Sequence, residues 1–193
     1  MPVKIIHPDH IEIMGLGRVL LTAPPATSSD ADLHMGSIVE EAALTSRSHA
    51  VIGKVNREFL DPNRIQSVQT ELRRSIEEFI TEDGIRYILE IQGKREPGVD
   101  IRTVAAQTSS DSTIELVRAR LVNDFNVGAN PENKSDKHTG TDTSHGKKNA
   151  DDNLSSVEQI QIQFGHEERH FLREKVIRDI SEIADILNGQ LAS

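Results

Sequence analysis

The chain has no cysteine and no tryptophan, only one tyrosine and five phenylalanines, and no apolar run long enough to cross a bilayer. Each absence closes off a class of protein. Without thiols there are no disulfides and no thiolate-held metals, so any metal would rest on histidine, aspartate, glutamate or backbone oxygen, and eight histidines are present to supply it. Scarce aromatics remove the stacking platform of single-strand binders, and a net charge of −9 opposes a phosphate backbone. Neither nucleic acid nor a membrane is an expected partner. The opening Met1-Pro2-Val3-Lys4-Ile5-Ile6-His7-Pro8 has no signal-peptide core. The expectation is a soluble cytoplasmic protein, with 193 residues forming one domain that buries a sizeable core.

What is present is an alternation of strand and helix signals. Val3 to Ile6, Ile11 to Met14 and Arg18 to Thr22 read as short strands punctuated by Pro8, Gly15 and Gly17. The first two are expected to form a hairpin feeding the third. Ala23 to Asp32 contains Pro24-Pro25 and reads as loop. Leu33 to Thr45 then carries Ile38, Val39, Ala42 and Ala43 on one helical face, with Asp32 placed as N-cap. His49 to Val55 is a buried strand, Gln66 to Glu82 an amphipathic helix, and Arg86 to Gly93 a strand buried on both sides. Asp100 to Gln107 reads as a further strand and Asp111 to Val122 as a helix.

From Asn126 to Ser156 large apolar residues nearly vanish and no period remains, so burial cannot repay the ordering entropy. A connection of about thirty residues inside one domain reads as a polar insertion or lid. Val157 to Phe164 alternates glutamines with Ile160, Ile162 and Phe164, which predicts a strand. It turns at Gly165 into a single long helix, His166 to Asn188, capped by Gly189. This order predicts an α/β fold, three-layer αβα with a mixed, largely parallel sheet.

The chemistry gathers in two places. Asn56, Arg57, Asp61, Asn63 and Arg64 follow a buried strand within a few positions. At the carboxyl end of an α/β strand, where ligands usually sit, Asn63 and Arg64 offer an amide and a guanidinium fork suited to a carboxylate, with Asp61 to hold the fork. An Arg-Asp surface pair steadying a loop is the plain alternative. Glu90 and Gln92 share one face at the end of the second buried strand, as the walls of a site would, or as the wet face of an edge strand. His166-Glu167-Glu168-Arg169-His170 also satisfies the zinc-helix pattern His-Glu-x-x-His. The fully charged pair in its middle and its place at the start of a helix, where exposed polar residues are expected, speak against that reading.

Taken in order, these motifs carry a family resemblance. A strand ending Thr22-Ala23-Pro24, an acidic loop and helix, Asp61-Pro62-Asn63-Arg64, a strand ending Glu90-Ile91-Gln92-Gly93, and Gln161-Ile162-Gln163-Phe164 leading to Arg169 resemble the N-formylglutamate amidohydrolase family, from about Arg18 to Asn188. That family is related in fold to zinc carboxypeptidases and aspartoacylases. The resemblance implies a zinc-dependent hydrolase of amides in N-acyl acidic amino acids, with a small anionic carboxylate as substrate or ligand. By the same resemblance, Asn63 and Arg64, with Asp61 and Arg57 beside them, hold the substrate. Asp32 and the Gln92 position fall to the metal, and Gln163 and Glu90 fall to the catalytic carboxylate region.

The departures from that pattern lie at the zinc and base positions. Pro25 stands where the resemblance calls for a histidine ligand, Gln92 where it calls for a second, and Gln163 where it calls for the glutamate base. Neither proline nor a neutral amide does that chemistry, and a general base alone contributes roughly 10²- to 10⁴-fold. His34, two residues past Asp32, is a conceivable substitute ligand. Two expectations therefore stand side by side: an amidohydrolase working through a rearranged site, and a non-catalytic carboxylate-binding or regulatory module on the same scaffold.

Overall fold

The computed structural model describes residues 1–24, 34–54, 62–103, 111–128 and 157–190, and for residues 62–70 and 190 the backbone alone. Seven strands form one sheet: β1 (Val3–Ile6), β2 (His10–Met14), β3 (Val19–Ala23), β4 (His49–Gly53), β5 (Tyr87–Gly93), β6 (Val99–Thr103) and β7 (Glu158–Phe164). Five helices are described: α1 (Met35–Ser46), α2 (Pro62–Glu82), α3 (Asp111–Leu121), α4 (His166–Phe171) and α5 (Arg173–Gln190). The strand order is β1-β2-β4-β3-β5-β7-β6. The four central strands, β4, β3, β5 and β7, are mutually parallel. β1 pairs with β2, β2 with β4 and β6 with β7, all antiparallel. The sheet is mixed as expected, but its parallel part is the centre alone.

The two faces are covered unequally. One face packs Leu21, Ala50, Leu89, Ile91, Ile101, Ile160, Ile162 and Phe164 under α1, α3 and α5 in a single large core. The other carries a smaller core, in which Leu72, Phe79 and Ile80 of α2 lie on Leu20, Val51 and Ile88. The period-2 alternation of the strands assigns the faces: Leu89 and Ile91 point to the large core, Glu90 and Gln92 to the side of α2. Among the described residues no helix is long and apolar enough to cross a membrane.

Several expectations are corrected here. The first hairpin forms, but β2 lies beside β4 and β3 beside the opposite edge of β4. Gly15 makes this possible. The chain crosses the amino end of β4 so closely that a Cβ at Gly15 would sit 2.3 Å from the Arg47 carbonyl oxygen, while Leu16 N–H donates to that oxygen at 2.6 Å. The cap of α1 is His34 in the left-handed region (φ 72°), with no side-chain capping bond; Asp32, expected there, lies outside the described residues. The helix expected from Gln66 starts at Pro62, where a missing N–H costs nothing in the first turn and φ is preset.

The last helix is two helices, α4 and α5, broken at Leu172 (φ −115°, ψ 23°), and α5 runs through Gly189 to Gln190. The break has a physical cause. Glu168 and Arg169 are buried and tie α4 to the turn between β5 and β6: Glu168 accepts from Gly98 N–H at 2.9 Å, and Arg169 donates to the Lys94 carbonyl at 3.1 Å. The charged centre of the His-Glu-x-x-His string is thus a buried clamp and not the exposed helix start expected from sequence.

Candidate functional site

In an open parallel sheet, ligands sit where neighbouring strands send their chains in opposite directions. Here that crevice lies between β3 and β5. The chain leaving β3 returns through α1 to β4 on one side, and the chain leaving β5 passes to β6 and β7 on the other. Thr22 stands directly across from Glu90 at this place, and Gln92 across from Gln163 on the next strand. β5 is a central strand between β3 and β7, so Glu90 and Gln92 are not the wet face of an edge.

On the face of α2 these residues form a polar shelf. Gln92 Nε2 donates to Glu90 Oε1 in a short bond, Gln159 Nε2 donates to Glu90 Oε2 at 3.1 Å, and Gln163 Nε2 donates to Gln92 Oε1 at 3.1 Å. All four are half-buried. Gln161 stands in the same row opposite Glu90 and makes no side-chain hydrogen bond among the described residues. Buried Thr22 closes one side. On the other, Asp100 of β6 faces Gln163 and Arg102 faces Gln161, and Lys94 reaches Asp100 at 2.9 Å. Strands about 4.8 Å apart and side chains about 6.8 Å apart along each strand make a floor the size of a small molecule.

The structure thus brings Glu90, Gln92 and Gln163 into one hydrogen-bonded chain. Asn63 and Arg64 lie in the first turn of α2, about twelve residues, or roughly 18 Å of helix, before Ser75, which touches the β2 end of the sheet. They are therefore helical and not in a loop at the strand end; their side chains lie outside the described set. Pro25, Asp32, Arg57 and Asp61 also fall outside the described residues.

A zinc ion at the Gln92 position is not matched by what surrounds it. The Gln92 oxygen accepts from Gln163 and its nitrogen donates to Glu90, so the amide is committed on both sides. The described shelf offers amides, carboxylates and a hydroxyl but no imidazole, whereas zinc sites of this kind rest on nitrogen donors.

The histidines gather elsewhere. His166 and His170 stack with centroids 5.6 Å apart, and the His34 ring lies 6.5 Å from His170, all three exposed. A tighter group was missed from sequence: His7, His10 and Glu12 at the β1–β2 turn, whose ligand-type atoms all lie within 4.8 Å of one another. The signal was there in His7-Pro8-Asp9-His10-Ile11-Glu12, since a tight turn brings positions three and five apart together. Burial pushes the Glu12 carboxyl up, but hydrogen bonding with Ser75, His10 and His7 outweighs it and holds the group below the usual range. A separate cavity of about 420 Å³, lined by Arg18, Glu82, Asp83 and Arg86 among others, opens at the amino-terminal ends of β3 and β5, away from both groups.

No protein-family model matches the sequence, and no curated protein matches it.

Proposed function

We propose that this chain is a small-ligand binding module on a scaffold of the N-formylglutamate amidohydrolase and zinc carboxypeptidase kind, acting in the cytoplasm on an acidic amino acid or its N-acyl derivative. The observation that carries this is the Glu90–Gln92–Gln163 chain on the floor of the crevice between β3 and β5. Amides placed there hydrogen-bond a polar ligand, and both oxygens of the Glu90 carboxylate are already taken up by the Gln92 and Gln159 amides. Arg64 and Asn63, at the head of α2, are the residues we assign to the ligand carboxylate, by bidentate pairing and an amide bond. Gln161 is the shelf amide available to the ligand's acyl group.

The module reading predicts binding without turnover. Calorimetric titration with N-formylglutamate, N-acetylaspartate and free glutamate is expected to show one-to-one binding of at least one of them. Arg64→Ala and Gln161→Ala should each weaken it, and a saturating ligand should raise the melting temperature. Absence of any binding among these acids sinks the proposal. Chelator-sensitive hydrolysis of the N-acyl acids would replace it with the hydrolase reading, in which a rearranged metal site does the chemistry.

A further inference from the structure

The turn joining β1 and β2 holds a set of groups that the ligand shelf does not use. Three bonds fix the turn: His7 N–H donates to the His10 carbonyl at 2.9 Å and Lys54 N–H to the Asp9 carbonyl at 2.8 Å, while Lys54 Nζ donates to the His7 carbonyl at 2.8 Å. On this frame the rings of His7 and His10 stack, centroids 4.2 Å apart and nearly parallel. Asp9 Oδ1 lies 2.8 Å from His10 Nδ1. A carboxylate there holds the proton on Nδ1, leaving the lone pair on Nε2.

That lone pair faces a carboxylate and a hydroxyl. Glu12 Oε1 is 3.1 Å from His10 Nε2, and Ser75 Oγ of α2 is also 3.1 Å from it. The second carboxylate oxygen, Glu12 Oε2, is 3.2 Å from His7 Nε2, a buried nitrogen that meets the carboxylate without a well-aligned hydrogen bond. Two imidazole nitrogens and a carboxylate converging on one point, away from bulk water, call for a cation between them. Ligand atoms about 2.0–2.2 Å from a tetrahedral ion stand roughly 3.3–3.6 Å from one another. The observed 3.1 and 3.2 Å, one to each oxygen of Glu12, are close to that spacing, and the whole set of ligand atoms lies within 4.8 Å.

We propose that His7, His10 and Glu12 bind a divalent transition-metal ion, zinc by the character of the ligands, with water completing the shell. Two nitrogens and one carboxylate with an open fourth position are a recognised zinc set. Asp9 is the outer carboxylate that orients His10 and raises its basicity. An ion lies in the plane of each ring that binds it, so one of the two stacked rings turns on loading. His7 is the one free to do so: its side chain is 36% exposed, against 4% for His10. Ser75 of α2 stands at the rim of the site, 3.1 Å from His10 Nε2.

The test is zinc titration of the full chain after chelator treatment, followed by competition with a chromophoric chelator, with cobalt substitution to read the geometry. One equivalent is expected to bind with a nitrogen- and oxygen-ligated tetrahedral cobalt spectrum. His7→Gln and Glu12→Gln should each remove stoichiometric binding, and Asp9→Asn should weaken it about 10- to 100-fold. Because His7 is half-exposed, His7→Gln should leave the far-UV spectrum and the cooperative unfolding transition unchanged, which separates lost binding from lost folding. The double variant His166→Ala, His170→Ala is expected to keep full uptake. The proposal is overturned if wild type takes up no zinc, if uptake survives His7→Gln and Glu12→Gln, or if it disappears with His166 and His170.

Discussion

At the scale of single residues, Asp179 is the most telling. It is fully buried on α5; Arg120 donates to its Oδ1 at 2.6 Å and Arg178 at 3.3 Å. Its other oxygen is buried without a partner among the described residues. Burial pushes its pKa from an ordinary 3.8 to about 6, and the two guanidiniums only partly offset this. The folded protein therefore keeps this proton at pH values where the unfolded chain has lost it. The stability so contributed is complete below pH 3.8 and is lost as pH rises through about 6. We expect urea titrations between pH 4 and pH 7.5 to show wild type losing up to about 3 kcal/mol relative to Asp179→Asn across that window. A pH-independent difference between the two would refute the assignment. Gly15 gives a second prediction of this size. Because a Cβ there would meet the Arg47 and Ser48 backbone at 2.3 Å, Gly15→Ala should cost about 3 kcal/mol in the same measurement.

At the scale of elements, the clamp between α4 and the β5–β6 turn is the feature most open to test. Arg169 is 3% exposed and donates to the carbonyls of Gly165 and Lys94, both at 3.1 Å. Removing it leaves the Gly165 and Lys94 carbonyls without their donor, so Arg169→Ala should lose about 3 kcal/mol. Arg169→Lys should recover only part, since an ammonium lacks the fork that reaches both carbonyls. Chemical denaturation of the three proteins decides this. The elements themselves were largely legible in sequence: Ile160, Ile162 and Phe164 alternating with glutamines, and Ile38, Val39, Ala42 and Ala43 at helical spacing, are strong local patterns. The break at Leu172 was not legible, because the apolar stripe runs on either side of it and its cause is a contact with residues about seventy positions away. Pairing of β2 with β4 was hidden for a similar reason: it depends on Gly15 passing under a distant backbone.

At the scale of the whole molecule, the unequal faces of the sheet decide where chemistry is placed. One side is sealed by three helices, while among the described residues the other is roofed by α2 over its apolar patch, and the polar half of that side carries Glu90, Gln92 and the β7 glutamines. Sequence reading found these residues and their shared side, since alternation along a strand fixes it. Three-dimensional neighbours remained out of reach: that Gln163 would meet Gln92, or that His10 would meet Ser75, follows from strand order and helix placement. If the shelf is the binding floor, a bound dicarboxylate should slow amide exchange in β5 and β7 near Gln92 and Gln163 and leave β1 unaffected, as hydrogen-exchange mass spectrometry would read. Protection confined to the cavity around Arg18 and Arg86 would relocate the site.

The order of synthesis follows from the order of strands. β6 is made some fifty residues before β7, yet among the described strands β7 is its one neighbour, and β7 pairs with β5 along its full length, from Tyr87 with Glu158 to Gly93 with Phe164. A nascent chain that has emerged only as far as residue 156 therefore holds two unfilled strand edges and no place for Val99–Thr103. The ribosome must deliver the last strand before the ligand floor and the β6 edge of the sheet can exist.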